Sequence, residues 1–378
     1  MRIGIDARWI YQEISGIGSY TRELLRHLPA LGHEYTFFFF FCDPALRDRT
    51  WAELNLVAFP NVTPVLVPYR IFSPINQLCL PGLLKKLNLD VFHSPNYMVP
   101  LLAFPRHRTG RPRCVVTLHD LIPLLFPDYA PRAWKRRFFP VFKQLMREVG
   151  ARADRVIAVS QCSRQDVARH MDVPNDRIAV IPEGVSPRYM PAPNRIRSDA
   201  RTVLFVGRPD PYKNLVGLIE AFASLREQCQ FPVTLRLVGA LDARYPEGPK
   251  RAQSLNLGDA AVWTGYLTDE QLLQEYQNAD VFVLPSLYEG FGLPVLEAMA
   301  CGAPVICSNK GSLPEVAGDA ALKVQPQDRI GLTEAMRRVL TDSRLARELS
   351  NKGIQHAAKF TWQETVRQTL AAYAKVCL

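Results

Sequence analysis

Long apolar runs, paired cysteines, acidic metal pairs and internal repeats are all missing from this 378-residue chain. The most apolar stretch, Phe37–Phe41, is of strand length, far short of the roughly 20 apolar residues that a membrane-spanning helix needs. Met1 leads straight into RIGIDARWI, which reads as a strand and not as a charged start followed by an apolar leader, so no secretory signal is expected. Cys42, Cys79, Cys114, Cys162, Cys229, Cys301, Cys307 and Cys377 show no C-x-x-C or metal-type spacing. That argues against a disulfide framework or a zinc module and for reduced, buried thiols in a cytoplasmic protein. No Asp-x-Asp pair occurs. With 48% apolar and 22% charged residues, the composition is ordinary for a globular protein, and the length suffices for two cores.

Positive charge, in contrast, is in excess and unevenly spread. The chain carries +10 overall. Residues 1–190 hold 25 Lys and Arg against 16 Asp and Glu, a net +9, and 106–155 alone hold twelve against four. Such a local excess points to an anionic partner, and charge alone leaves nucleic acid, anionic lipid and a phosphorylated acceptor open.

Short apolar strands alternate with helical segments through both halves. In the first half RIGIDARWI, TFFFFFC, DVFHSP, CVVTLHD and RVIAVS read as strands, and 20–28, LPGLLKKL, 131–149 and 163–170 as helices. A proline-rich, aperiodic stretch, 182–201, follows as a linker. The alternation then resumes with TVLFVG, VTLRLVG, AVWTGY, VFVLPS and APVICS as strands. This pattern predicts an α/β protein with parallel, doubly wound sheets in two domains, 1–188 and 189–361, and an amphipathic closing helix over 362–378. Ligands of such sheets bind beyond the carboxyl ends of the strands, so a groove between the domains is the expected site.

The most informative stretch is 286–315, SLYEGFGLPVLEAMACGAPVICSNKGSLPE. Strand VFVLPS leads into a turn, Glu289-Gly290-Phe291-Gly292, and then a helix over 294–301, with Pro294 suited to its first turn and Gly302 to the position past its end. Amides at the turn and the helix start (Gly290, Phe291, Gly292, Leu293) lack intrahelical partners and can bind an anion such as a diphosphate. Two carboxylates beside such an anion, Glu289 and Glu297, fit hydrogen bonds accepted from sugar hydroxyls. The implied ligand is a nucleotide sugar. Val206–Asn214 also links a strand to a helix, so Arg208 and Lys213 project from a strand's carboxyl end. Fixed cations there would stabilise the charge that develops on a leaving nucleoside diphosphate.

Weaker signals lie in the first half. His119 ends the strand CVVTLHD, where a ring nitrogen can meet a sugar hydroxyl. Gly16-Ile17-Gly18-Ser19 reads as a turn that brings backbone close to a diphosphate or an acceptor, although it lacks the third glycine and following acid of a dinucleotide site. Asp6 and Arg8 fit a structural ion pair. His93–Asn96 sits on a loop that would line the acceptor side, Glu183-Gly184-Val185 reads as a hinge, and Ser312–Glu315 as a loop near the nucleotide. In 131–149, Trp134, Phe138, Val141, Phe142, Leu145 and Val149 form one helical stripe and Lys135, Arg136, Lys143 and Arg147 lie elsewhere. Such a helix suits an anionic membrane surface or, equally, a core-facing stripe with a solvated basic face, and Pro140 interrupts either.

These motifs resemble the retaining GT-B glycosyltransferases of the sucrose-synthase and bacterial mannosyltransferase type. Glu289–Val305 matches their E-x7-E signature without a gap, Val206–Asn214 their V-G-R-x-x-x-x-K-N element, and Thr117–Leu121 their T-x-H-D-L setting. Two departures stand out: Ser19 where the family often has Arg or Lys, and Glu183 in place of the Asn of N-G-V. The resemblance spans essentially the whole chain and looks most like O-antigen or exopolysaccharide mannosyltransferases. It implies two Rossmann-like domains, a last helix returning to the first of them, and metal-independent retaining transfer without a protein nucleophile. It also implies sugar hydroxyls on Glu289, ribose hydroxyls on Glu297, pyrophosphate on Arg208 and Lys213, and His119 near the reacting sugar. GDP-mannose is the preferred donor and a saccharide or polyprenyl-pyrophosphate-linked sugar the acceptor, with no separate cofactor, no metal and no nucleic acid. A peripheral position on the inner face of the plasma membrane, through 131–149, is part of this expectation. A UDP- or dTDP-sugar donor, a nucleotide-sugar epimerase, a glycogen-type phosphorylase and a binding protein that kept the fold are the rivals.

Overall fold

A computed structural model describes residues 1–11, 16–106, 110–127, 138–193 and 200–378. Among these the chain forms two compact units. The first takes the described residues of 1–121, then 138–184 and the closing segment Thr361–Leu378. The second takes Val185–Phe360 with the described residues of 122–137.

The first unit is built on seven parallel strands: β1 Arg2–Asp6, β2 Thr36–Phe41, β3 Val62–Leu66, β4 Val91–Ser94, β5 Arg113–Leu118, β6 Arg155–Ala158 and β7 Ile178–Val180. They lie in the order β3-β2-β1-β4-β5-β6-β7. The five phenylalanines of β2 are all buried, on both faces of the strand, as a parallel sheet covered on two sides requires. Burying each such side chain stabilises the unit by roughly 1.5–3 kcal/mol. The last helix, Trp362–Cys377, joins the same core through Trp362, Val366, Leu370 and Tyr373.

The second unit repeats the plan with β8 Arg201–Val206, β9 Val233–Val238, β10 Ala261–Gly265, β11 Val281–Leu284, β12 Val305–Ser308 and β13 Ala321–Val324. Their order is β10-β9-β8-β11-β12-β13, again all parallel. Both units are Rossmann-like, doubly wound sheets.

Several local expectations need correction. β3 escapes the sequence pattern because it is a mostly exposed edge strand holding Pro64, and such strands alternate poorly. The helix read over LPGLLKKL begins earlier, at Pro74, because the Ser73 side chain caps it and Pro74 fits its first turn. β1 stops at Asp6, whose carboxylate accepts the Arg8 amide and the Arg8 guanidinium (2.8 Å) and turns 7–9 into a short 3₁₀ segment. The expected Asp6–Arg8 ion pair is therefore present and buried. The helix of 131–149 is described from Phe139 to Arg152, with Pro140 in its first turn. Residues 131–137, Trp134 among them, lie outside the described residues. Of the proposed stripe, Phe142 and Val149 are buried but Phe138 and Val141 are exposed.

Candidate active site

In the second sheet, β8 and β11 are neighbours, and the chain winds away from them in opposite directions. Such a reversal leaves a crevice beyond the strands' carboxyl ends. The loop after β8 ends in a 3₁₀ turn, Pro211–Lys213. Asn214 then adopts a left-handed conformation (φ 56°), and its side-chain amide donates to the carbonyls of Pro285 (3.2 Å) and Pro326 (2.6 Å). This ties the β8 loop to the end of β11.

That tie delivers Lys213 to Glu289. Lys213 Nζ donates to Glu289 Oε1 at 2.7 Å, and Ser286 Oγ donates to the same oxygen at 2.6 Å. Both side chains of the ion pair are about nine-tenths buried, with exposures of 12% and 10%. A pair so shielded holds a single geometry, because the low local dielectric strengthens the attraction and separation would strand a charge. Oε1 is thus pinned, and Oε2 has no partner among the described residues. It remains an acceptor for a hydroxyl. Reading Lys213 as bound to diphosphate and Glu289 to sugar, each by itself, missed that the two groups form one unit.

The turn bearing Glu289 is held from behind. The amide and hydroxyl of Ser312 both donate to the Glu289 carbonyl (3.1 and 3.0 Å), and the hydroxyl also lies 2.6 Å from the Phe291 carbonyl. Gly292 has φ 108°, and a Cβ there would stand 2.6 Å from Leu313 Cδ2, so only glycine fits. The following helix runs Leu293–Ala300. Pro294 supplies no amide and Val295 donates to the Gly292 carbonyl. Any anion cradle therefore has to be drawn from the earlier positions, 290–293. The Phe291 side chain is turned inward, edge-on to Phe360 at 6.2 Å, and leaves only its backbone for a ligand. The loop 312–315, assigned to the nucleotide from sequence, acts here as the buttress of this turn.

Two other expected residues have different partners in this geometry. Arg208 is exposed and faces Asp210 (3.2 Å) and Asp242 (3.7 Å), not the Lys213–Glu289 pair. The Arg244 guanidinium beside Asp242 depresses that carboxyl to about 2. Glu297 Oε2 accepts from the hydroxyl of Tyr276 at 2.8 Å, and Tyr189 shares the carboxylate. Burial pushes the Glu297 carboxyl up to about 7 against the pull of those hydrogen bonds. Tyr276 lies wholly inside, edge-on to Tyr189 at 5.7 Å, so Glu297 fastens the signature helix to the helix Asp269–Asn278.

In the first unit, His119 follows β5 and both its ring nitrogens are engaged. Nδ1 lies 2.7 Å from Glu183 Oε1 and Nε2 lies 3.1 Å from the Pro95 carbonyl. Burial alone would lower the imidazolium's pKa, but the hydrogen bond and charge of Glu183 outweigh it and raise it. The ring nitrogen expected to meet a sugar hydroxyl is therefore already engaged in this geometry. Glu183, read as hinge, is a buried partner of this ring. His93, expected to line an acceptor loop, is fully buried, with Nδ1 2.6 Å from the Tyr373 hydroxyl and Nε2 2.8 Å from Thr117 Oγ1. Burial, aided by the charge of His119, lowers it to about 3. Tyr20 completes the chain with its hydroxyl 3.0 Å from Thr117 Oγ1. Gly16 and Gly18 form the first turn of the helix Gly16–Leu31, not a turn ahead of it, and Gly16 faces open space. At Gly16 nothing demands glycine. Residues 12–15 lie outside the described residues.

Comparison with known proteins bears on this geometry. Residues 189–356 match the family model "Glycosyl transferases group 1" and 14–189 match "Glycosyltransferase Family 4". The chain is 31% identical to "O-antigen chain mannosyltransferase B" of Escherichia coli over 99% of both chains. It belongs to the group 1, GT-B glycosyltransferases. A second relative, "MMP alpha-(1->4)-mannosyltransferase" of Mycolicibacterium hassiacum, is 29% identical over 99% of this chain and 98% of its own. The fold is shared with sucrose-phosphate synthase of Thermosynechococcus elongatus (TM-score 0.78, 23% identity, 100% of this chain and 99% of that one). It is shared too with HepE of Anabaena, solved with UDP and glucose (TM-score 0.76, 19% identity, 99% and 100%). For a glycosyltransferase of this family, the cluster at the ends of β8 and β11 is the natural candidate for donor chemistry.

Proposed function

We propose that this glycosyltransferase moves mannose from GDP-mannose to a saccharide or polyprenyl-pyrophosphate-linked acceptor in surface polysaccharide synthesis, with retention and without a metal. The observation that carries the reading is the Lys213–Glu289–Ser286 cluster at the switch point of the second sheet. Glu289 accepts from donor sugar hydroxyls through Oε2, while Lys213 and Arg208 meet the diphosphate as charge develops on it. These two cations take the part that a metal takes elsewhere, which is the ground for proposing metal independence. Arg208 would exchange Asp210 and Asp242 for phosphate oxygens. The mannosyl assignment draws on the relatives named mannosyltransferases.

A thermal-shift panel of GDP, UDP, ADP and dTDP tests the donor, since a bound nucleotide raises apparent stability. GDP alone should give a clear shift. A shift from UDP or dTDP and none from GDP would overturn the mannosyl assignment and leave the fold untouched. NMR of the product's anomeric signal from authentic GDP-α-mannose tests retention.

The membrane part of the reading rests on the helix Phe139–Arg152. Phe138 and Val141 are exposed near its start, and Lys143 and Arg147 are exposed on the same helix, while Phe142, Met146 and Val149 face inward. No helix among the described residues is long and apolar enough to span a bilayer. A peripheral contact with anionic lipid on the cytoplasmic face would use those exposed groups. Flotation with phosphatidylglycerol vesicles, set against neutral ones, checks it. Phe138→Ser with Val141→Ser should abolish flotation and leave donor binding intact.

A further inference from the structure

We propose that Glu183 is a positioning residue that holds the His119 ring through Nδ1 and keeps it doubly protonated, so that the first unit offers a cation at the end of β5 and no proton acceptor. The functional half of this inference rests on the glycosyltransferase reading above.

The argument starts from hydrogen-bond inventory. The Pro95 carbonyl can only accept, so Nε2, 3.1 Å away, carries a proton. The Glu183 carboxylate oxygen at 2.7 Å accepts in the same way, so Nδ1 carries one as well. An imidazole with both nitrogens donating has no lone pair left to take a proton from an acceptor hydroxyl. The pair is enclosed, with side-chain exposures of 13% for His119 and 5% for Glu183. Tyr20 of the helix Gly16–Leu31 stands edge-on to the ring at 4.7 Å. Ser163 Oγ donates to the His119 carbonyl at 3.2 Å and fixes the backbone.

Glu183 has little freedom to leave. The next residue, Gly184, is so close to the last helix that a Cβ would stand 2.3 Å from the Trp362 amide nitrogen. Thr365 Oγ1, in turn, donates to the Pro182 carbonyl at 2.8 Å. The carboxylate is thus delivered by a segment clamped on both sides. Among the described residues, the charged and titratable groups around His119 are Glu183, Asp120, Tyr20 and His93. Of these, the two acids favour the cation, Tyr20 stays a neutral phenol, and His93 is neutral in the ordinary pH range.

Because the cation is the working form, turnover should hold at lower pH and fall as pH rises through the raised midpoint of His119. Glu183→Gln keeps the shape and removes the charge, which lowers that midpoint and moves the alkaline fall to lower pH. Long-range ¹H–¹⁵N NMR of the intact chain reads both ring nitrogens of His119 directly. The wild type should show two protonated nitrogens at pH 7, and Glu183→Gln a single one. At pH 7.5, kcat of Glu183→Gln should drop by about 10–100-fold with the donor KM little changed, and Glu183→Asp should recover part of the loss. A neutral His119 in the wild type at pH 7 overturns the proposal without any variant. So does a Glu183→Gln enzyme whose His119 titration moves while kcat and its pH profile stay put. Absence of any sugar transfer by the wild type would count against the proposed function, and the NMR result is read independently of it.

Discussion

The two units share a sheet plan, yet they treat the same place in it in opposite ways. In the first sheet the carboxyl end of β4 carries His93, and the neighbouring elements close over it. Tyr20, Thr117 and Tyr373 form a buried chain of hydrogen bonds, and the returning helix packs Trp362 edge-on to Tyr20 at 5.8 Å. In the second sheet the corresponding end, after β11, carries Ser286 and Glu289, and one carboxylate oxygen has no partner among the described residues. Polar groups at a switch point therefore do not make a site by themselves. What differs is whether every hydrogen-bonding position has been spent. The fold positions both sets, and the second keeps one acceptor position open among the described residues.

The largest effect should come from breaking the incomplete set. Glu289→Ala removes the free acceptor and leaves Lys213 buried without its partner. Transfer should fall by about 10²–10³-fold or more, while GDP still raises the melting temperature. Lys213→Ala should be nearly as damaging, and the double variant should be hardly worse than either single one, because the two groups act as a unit. Additive losses would show that the pair works as two separate contacts. The completed set predicts the reverse pattern. Tyr373→Phe strands His93 Nδ1, an unmet buried group worth about 1–3 kcal/mol, and should lower stability with nucleotide binding unchanged. A transfer defect out of proportion to the melting temperature would show that the first switch point is functional after all.

How much of this was readable beforehand follows from the range of each interaction. The strand-turn-helix around Glu289 was legible because its determinants are local: an apolar strand, Gly292 at a positive φ, Pro294 in a first helical turn. Lys213 was legible as a loop cation for the same reason. That Lys213 reaches Glu289 was not, because the contact spans 76 residues and depends on Asn214 bridging to Pro285 and Pro326. Glu183 misled for a similar reason. Beside Gly184 it has the look of hinge sequence, and its partner His119 lies 64 residues away. His93 seemed loop-bound because DVFHSP ends in proline, whereas β4 runs through Ser94 and places the ring inside. Ser312 gave no signal beyond its place in the signature, since a buttressing serine is like any other in sequence. β3 was lost to its proline and its exposure.

The smallest effect, and the one that separates the two roles open to Glu297, lies in pH. A carboxyl whose folded midpoint is raised to about 7 is held neutral by burial, so ionising it costs stability. The sign is the reverse of an ordinary salt-bridged acid: the cost is absent below the unfolded range near 4.5, grows as pH climbs, and is fully present above about 7. Glu297→Gln removes the ionisation and can still accept from Tyr276 and Tyr189. It should melt like the wild type at pH 5 and roughly 2–4 °C higher at pH 8, with the nucleotide-induced shift preserved. If Glu297 instead holds ribose hydroxyls, the same variant loses affinity for every nucleoside diphosphate at both pH values, because a neutral amide is a weaker acceptor than a carboxylate. A melting gain confined to high pH with GDP affinity intact therefore assigns Glu297 to the packing of the signature helix. The donor's ribose must then be held by other groups of the second unit.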